Sequence, residues 1–598
     1  MAAKTAIQAW DRHFSSSDVN SHAIAPNTQT CLHSKTPNPA KLRAISPHNR
    51  LDLTAPLWWL TNMVPSTVQV VQTRSALTMR REFSLLLKAS VVILIAGVAW
   101  SATRMSPTPI EATAETPAAK PGQLLAGVAR IDITGKGDLP PGDTLYAKAL
   151  VLKQGDAMAV IVTVDAVAIG EIGPIRNDYL AKVRAGLTKD LGIAPERVMI
   201  NASHCHGIVC ADVDEKTIQV VKEAAKAMVP VRTGVGTGLE NRVQENRRLK
   251  LKNGREADVR HAYSLPADDE VVGMGPIDPQ VGVLKLDKID GKTLAVIYNF
   301  ACHPIMGLPG GGNTADYVGY ASKTIENNLS DGALALFIQG CGGDINPLRY
   351  KDVNQPRDAE PLGNLLGLTV LKTLRSIVCT DDGRLTLLRQ VMRLPRADNK
   401  ERIEDLEQEQ ERLVKSLRGT TLNLKTFLPL VVKYQLDPNF PANYSHAYMS
   451  DKAAGRNNLE KLDEANRAAI KSYIDNILTM EQLTRLQTNL ALLRRHQEAG
   501  LKAGTDTLDA EVLAWRIGNF VMVTFPGEVT VEIGLNIKKA SPHKPTFVAG
   551  YTNGYLYYSP TAEQLKNIGG AQEDSDCRLA PAWQKLFEDQ VAVMLSRL

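Results

Sequence analysis

The chain reads as an α/β protein: a mixed sheet with helices on its faces and a helical insertion. Two observations predict this. From about residue 124 to 395, short apolar runs of strand length alternate with amphipathic runs of helix length. After a charged stretch with helical spacing, strand-length runs resume at 510–515, 521–525 and 546–549. In chain order, the spacing predicts strands over 157–164, 198–202, 294–300 and 333–338, and helices over 175–191, 215–228 and 362–377. Residues 398–503 are rich in Glu, Lys, Leu, Gln and Arg, with helical periodicity in ERIEDLEQEQERLVKSL and MEQLTRLQTNLALLRRHQ. They read as a helical excursion, a hairpin set into the α/β domain, whose charge runs are solvated helix faces. A last helix ends the chain.

The 598 residues are enough for a large core. The formal net charge of +5 is unevenly placed. Of 69 Lys+Arg and 64 Asp+Glu, residues 1–102 hold ten and four, which leaves 59 against 60 in the remainder. The basic excess therefore belongs to the leader, and nothing points to nucleic acid. Within that leader, Arg80 and Arg81 precede an apolar run ending at Trp100, followed by Ser101 and Ala102. This is the pattern of a signal peptide over 79–102, and it implies an exported protein: periplasmic, extracellular, or anchored through an uncleaved segment. Residues 1–78 show no sustained period and read as a disordered leader, or as sequence ahead of a true start at Met79. Residues 103–122 are rich in Pro, Thr and Ala and read as a linker, with the folded domain, including the helical insertion, over 123–598. Six of the seven cysteines lie beyond the leader, and no specific bridge is predicted among them.

Seven histidines follow residue 102, and three of them fall in two short motifs. NASHCHG at 201–207 follows an apolar stretch. In an extended chain, positions i and i+2 share a side, so His204 and His206 can face one centre. FACHP at 300–304 likewise puts His303 where an apolar run ends. Three further runs end on polar or Gly-rich tips: QGCGGDINP at 339–347, PGE at 526–528 and GYTNGYLYY at 550–558. Ligands of α/β sheets bind at such strand ends, so five tips suggest one shared site. Imidazoles with a carboxylate suit Zn²⁺. Singly, each motif also has a plain structural reading: an incidental H-x-H, a turn at Pro-Gly-Glu, tyrosines packed in a core, a tight turn at 341–344. The glycines at 310–312 match no phosphate-binding pattern.

Together the motifs are more specific. The order HxH, FAxHP, D-x-x-GYA (Asp316, Gly319, Tyr320, Ala321), GD-x-x-P, PGE and GY-x-N-x-Y-x-x-Y resembles the neutral/alkaline non-lysosomal ceramidases. The resemblance extends to the opening strand at 126–134 and to Asn246-Arg247. It implies a zinc ion held by His204, His303, Glu528 and Tyr558. It also implies His206 beside the reacting carbonyl, Arg247 orienting the substrate and Tyr555 lining the pocket. The activity implied is hydrolysis of the amide bond of an N-acyl sphingolipid-like substrate by metal-activated water, with a lipid or N-acyl molecule as ligand and a membrane surface as contact. Two departures stand out. Asn346 replaces the family's serine in the GD-x-S-P segment and cannot be a nucleophile, so a zinc-water mechanism survives where a serine mechanism does not. The chain also ends soon after Tyr558, without the family's C-terminal β-sandwich domain. Cys205, between the two histidines, reads as a buried neutral thiol.

Two alternatives remain open on sequence: a same-fold zinc hydrolase of another amide or an ester, and a catalytically silent exported binding protein. A dinuclear phosphoesterase is disfavoured, because its D-x-H and G-N-H segments do not occur.

Overall fold

A computed structural model describes residues 122–598 except 137–142, 260–264, 308–312, 351, 353, 356, 437–444 and 568–569. The leader, the signal segment, residues 103–121 of the linker and the glycines at 310–312 lie outside the described residues.

The large sheet contains eight strands: Leu125–Asp132 (β1), Tyr146–Gln154 (β2), Ala157–Val164 (β3), Val198–Ala202 (β4), Val229–Leu239 (β5), Gln280–Lys288 (β6), Thr293–Phe300 (β7) and Leu334–Gln339 (β8), in the order β8-β7-β6-β5-β1-β2-β3-β4. It is mixed: β3–β4 and β7–β8 pair parallel, and the other neighbours antiparallel. A second sheet joins Leu385–Pro395 (β9), Thr507–Ile517 (β10), Phe520–Thr524 (β11) and Thr546–Ala549 (β12) in chain order.

Side-chain alternation explains how the sheets stack. In β3, Ala159 and Ile161 point one way and Val160, Val162 and Val164 the other; in β10, Leu513 and Trp515 oppose Val512 and Ala514. Ile161, Leu284, Ile297 and Leu336 of the large sheet share one cluster with Trp515, Met522 and Phe547 of the small one, so the two sheets pack face to face. The other face of the large sheet buries helices Tyr179–Leu191 (α1), Val213–Lys226 (α2), Asp316–Asn327 (α3) and Glu360–Leu374 (α4). The outer face of the small sheet is covered by helices described below. Four layers result, helix–sheet–sheet–helix. Each sheet therefore carries helices on its outer face, and the expected α/β architecture, a mixed sheet with helices on its faces, is observed with a second sheet packed beneath it.

The first helix begins at Tyr179 rather than at residue 175, since the chain still bends and turns through 171–178. The insertion contains four helices among the described residues, more than a hairpin: Lys400–Ser416 (α5), Leu424–Leu436 (α6), Ser445–Ala453 (α7) and Asn458–Ala503 (α8). The last spans 46 residues, or about 69 Å at the α-helical rise. α5 runs antiparallel to α8. Their apolar stripes meet at Leu406, Leu413, Leu483, Leu486, Leu490 and Leu493, and Asn399 and Arg418 bond Gln497 and Asn476 at the two ends. Two helices after the insertion, Val531–Ala540 (α9) and Trp583–Leu595 (α10), cover the small sheet through Ile533, Ile537, Trp583 and Phe587. Among the described residues, no helix is long and apolar enough to cross a membrane.

Gly127 in β1 sets the approach of α2. A Cβ there would lie 2.0 Å from the Ala224 carbonyl oxygen and 2.9 Å from the Met228 nitrogen, both backbone atoms. Gly127→Ala should therefore cost about 2 kcal/mol or more in urea unfolding; an unchanged midpoint would show that the helix yields freely.

Candidate metal centre

Five strands deliver the site. β4, β7 and β8 end at Ala202, Phe300 and Gln339, and β11 and β12 at Thr524 and Ala549. Three buried amides tie these ends together. Asn201 Nδ2 donates to the Gly550 carbonyl and to Thr552 Oγ1, while its Oδ1 accepts the Gln339 N–H. Asn299 Nδ2 donates to the carbonyls of Ile338 and Val548. Gln339 Nε2 donates to the Cys302 carbonyl. Buried amides satisfied in this way fix register as well as orientation.

His204, His303 and Glu528 are all buried, and their ligating atoms lie within 4.8 Å of one another. His204 Nδ1 sits 2.6 Å from the Val167 carbonyl oxygen and His303 Nδ1 3.0 Å from that of Ile345. A carbonyl only accepts, so both Nδ1 atoms carry the proton, and in the neutral rings both Nε2 atoms are bare. Those Nε2 atoms stand 3.4 and 3.0 Å from one oxygen, Glu528 Oε2. Burial and the neighbouring Arg247 charge hold His303 down, at about 4, so that ring stays neutral near pH 7. The Glu528 carboxyl, opposed by burial, lies well below its ordinary range only against positive charge and donated protons on the histidine side; with both rings neutral and their Nε2 atoms bare, that role falls to a cation. Lone pairs therefore converge on one point with no proton between His303 and Glu528, an arrangement that a cation relieves. Ligands 2.0–2.1 Å from a tetrahedral ion lie about 3.4 Å apart, so the spacings fit such an ion.

Three phenols complete the wall. Tyr555 donates to Glu528 Oε1, and Tyr551 donates to Oε2 at 3.2 Å. Tyr558 Oη lies 3.5 Å from His303 Nε2, with the two rings stacked. Tyr551 also packs on His204, at 4.3 Å between ring centroids. The sequence reading did not single out Tyr551, although it opens the same GYTNGYLYY run. The parallel pairing of Glu528 with Tyr558 locks the two tips together.

His204 is left-handed, with φ 69°. The chain is thus not extended through the H-x-H motif, and the expectation that alternation puts both histidines on one side is corrected. His204 turns inward and Cys205 is fully buried, its thiol pushed up by burial. His206 is exposed at the rim with its ring centroid 5.5 Å from that of His204.

Arg247 is buried behind the phenols. Its Nε donates to Glu573 at 2.6 Å, its Nη1 to Asn346 Oδ1 at 3.1 Å and its Nη2 to the Gly343 carbonyl, and its guanidinium carbon lies 5.5 Å from the Tyr558 ring centre. Asn346 is itself 1 % exposed and faces this guanidinium. Arg248 forms a two-pronged pair with Asp574, both contacts 2.9 Å. Glu573 reaches both arginines. This second rank was absent from the sequence reading, since Glu573 lies in an unremarkable QEDS run.

Glu573→Gln leaves two buried guanidinium groups short of one charge. Breaking a buried pair in this way costs about 3–5 kcal/mol, which should appear as a lowered urea midpoint; an unchanged midpoint would show that Asp574, with Glu256 at 2.6 Å from Arg248 Nε, suffices.

A solved structure of neutral ceramidase from Pseudomonas aeruginosa is similar to this chain, at 18% identity over 80% of this chain and 75% of that one, with a TM-score of 0.49. A structure of ceramidase complexed with C2 is similar at 18% identity over 80% of this chain and 76% of that one, also with a TM-score of 0.49. No family model matches the chain, and no curated protein matches it in sequence.

Proposed function

We propose that this chain is an exported, zinc-dependent hydrolase that cleaves the amide bond of an N-acyl, sphingolipid-like substrate. The observation that carries the metal is the set of bare imidazole nitrogens aimed at one carboxylate oxygen in a buried site. Two nitrogens, a carboxylate and a phenol form a donor set of the kind that zinc accepts. Of the three phenols, Tyr558 is assigned as fourth ligand: its oxygen approaches His303 rather than the carboxylate, and Arg247 puts a fixed positive charge beside it. The substrate class rests on the order of motifs in the sequence, and export rests on the 79–102 signal pattern.

A bound zinc ion supplies Lewis-acid polarisation of the scissile carbonyl and a water that ionises near neutral pH. The chain's own groups do the rest. The Val167 and Ile345 carbonyls hold both imidazoles in the ligating tautomer. Tyr551 and Tyr555 fix the rotamer of Glu528. As the water oxygen joins the acyl carbon and the C–N bond breaks, the departing amine needs a proton. His206, exposed beside His204, is placed to take up the proton that the attacking water gives up and pass it to that amine. Arg247, held by Glu573, Asn346 and Gly343 and lying over the Tyr558 ring, acts on the reaction by positioning Tyr558. Asn346 helps to hold that guanidinium.

The purified chain should contain about one zinc per molecule. A panel of N-acylsphingosines, N-acyl amino acids and p-nitrophenyl esters, assayed with and without a chelator, should show chelator-sensitive cleavage of the N-acylsphingosines first. Preference for the esters would replace the amide reading, and activity without metal would remove both. His204→Ala should abolish metal and turnover together. Tyr558→Phe should weaken zinc retention more than Tyr551→Phe, for which a 10- to 100-fold outer-shell effect is typical; the reverse order would move the fourth ligand to Tyr551. Asn346→Ala should keep its zinc and most of its activity.

A further inference from the structure

The far end of the insertion exposes an apolar helix face. α6 faces α8 through Phe427, stacked on Tyr473 at 4.4 Å, and through Tyr434, whose hydroxyl bonds Asp463 at 2.8 Å. The side turned away from those contacts carries Leu424, Leu428, Val432 and Leu436, four residues apart, at 58, 53, 54 and 80% exposure. That spacing keeps them on one side of the helix. A scattered exposed leucine needs no explanation, but a row of four on one helix does.

Charge indicates what this row meets. The stretch 417–436 contains Arg418, Lys425 and Lys433 and no carboxylate. Among the described residues none of these three cations is in an ion pair. On the facing part of α8, Asp463 is engaged with Tyr434 and Asp475 with Lys471, while Glu460 and Glu464 are exposed and form no ion pair with these cations among the described residues. An apolar face flanked by uncompensated lysines is the pattern of a helix lying in the headgroup layer of an anionic bilayer. We propose that α6 docks this protein on anionic lipid surfaces, with Leu424, Leu428, Val432 and Leu436 inserted among the acyl chains and Arg418, Lys425 and Lys433 on the headgroups. The proposal does not depend on the metal centre and is read without catalysis.

Sedimentation of the full chain with phosphatidylcholine vesicles, with and without phosphatidylserine, tests it. Binding should need phosphatidylserine and weaken as salt rises. Leu428→Glu with Val432→Glu, and separately Lys425→Gln with Lys433→Gln, should each weaken binding by roughly tenfold or more, with zinc content and unfolding midpoint unchanged. Since all four positions are at the surface, the second pair tests the surface should the first misfold. The proposal is overturned if the full chain ignores the anionic vesicles or if both pairs bind as well as the parent. It also fails if the chain self-associates and the glutamate pair alone dissociates it, which would assign the face to a second copy.

Discussion

Two hydrogen bonds, from His204 Nδ1 to the Val167 carbonyl and from His303 Nδ1 to the Ile345 carbonyl, determine what this centre can be. They choose the tautomer, and the tautomer turns two buried side chains into electron-pair donors facing a carboxylate. Without those carbonyls the same three residues could share a proton as an ordinary buried acid–base pair. The carbonyls are held in turn by the fold. Val167 follows β3, and Ile345 lies in a short strand paired with 244–246 and also accepts the His303 N–H. The chemistry of the site is thus a property of loop backbone that the two sheets hold in place.

Holding it there requires uncommon backbone. His204, Tyr551, Asn553 and Tyr557 all have positive φ, which costs each about 1–3 kcal/mol in a residue other than glycine. The surrounding bonds compensate: the His204 N–H reaches the Ala166 carbonyl, and the Asn553 side chain and backbone both clasp Ile200. Four such residues on two loops around one centre are too concentrated to be incidental. They turn side chains inward at points where an extended chain would have alternated them.

This explains what could be read in advance. The apolar runs at 157–164, 198–202 and 546–549 are strands with those bounds, because an uninterrupted buried run leaves little choice. The convergence of His204, His303 and Glu528 was legible from their common position just past such runs. The inward turn at His204 was not, since nothing in NASHCHG announces a left-handed residue; a period-two argument fails wherever the backbone leaves the extended region. The second sheet packed against the first was missed because alternation says that a face is buried, not what buries it. The amides closing three strands, Asn201, Asn299 and Gln339, were visible as polar residues at the ends of apolar runs and could have been recognised as ties. Arg247 was named from its motif, but its partner Glu573 lies 326 positions away and shows no local signal.

The long helix α8 begins near the exposed tip and ends beside the centre. At its inner end His496 and Arg495 grip Asp576, each at 2.7 Å, and His496 packs on Tyr557. Asp576 in turn accepts the Tyr558 N–H through its backbone carbonyl. The inner end of the insertion is therefore part of the frame of the site. Its last turns serve as a doorpost for the tyrosine loop, and a chain lacking Arg495 and His496 would lose that support whatever became of the overhang.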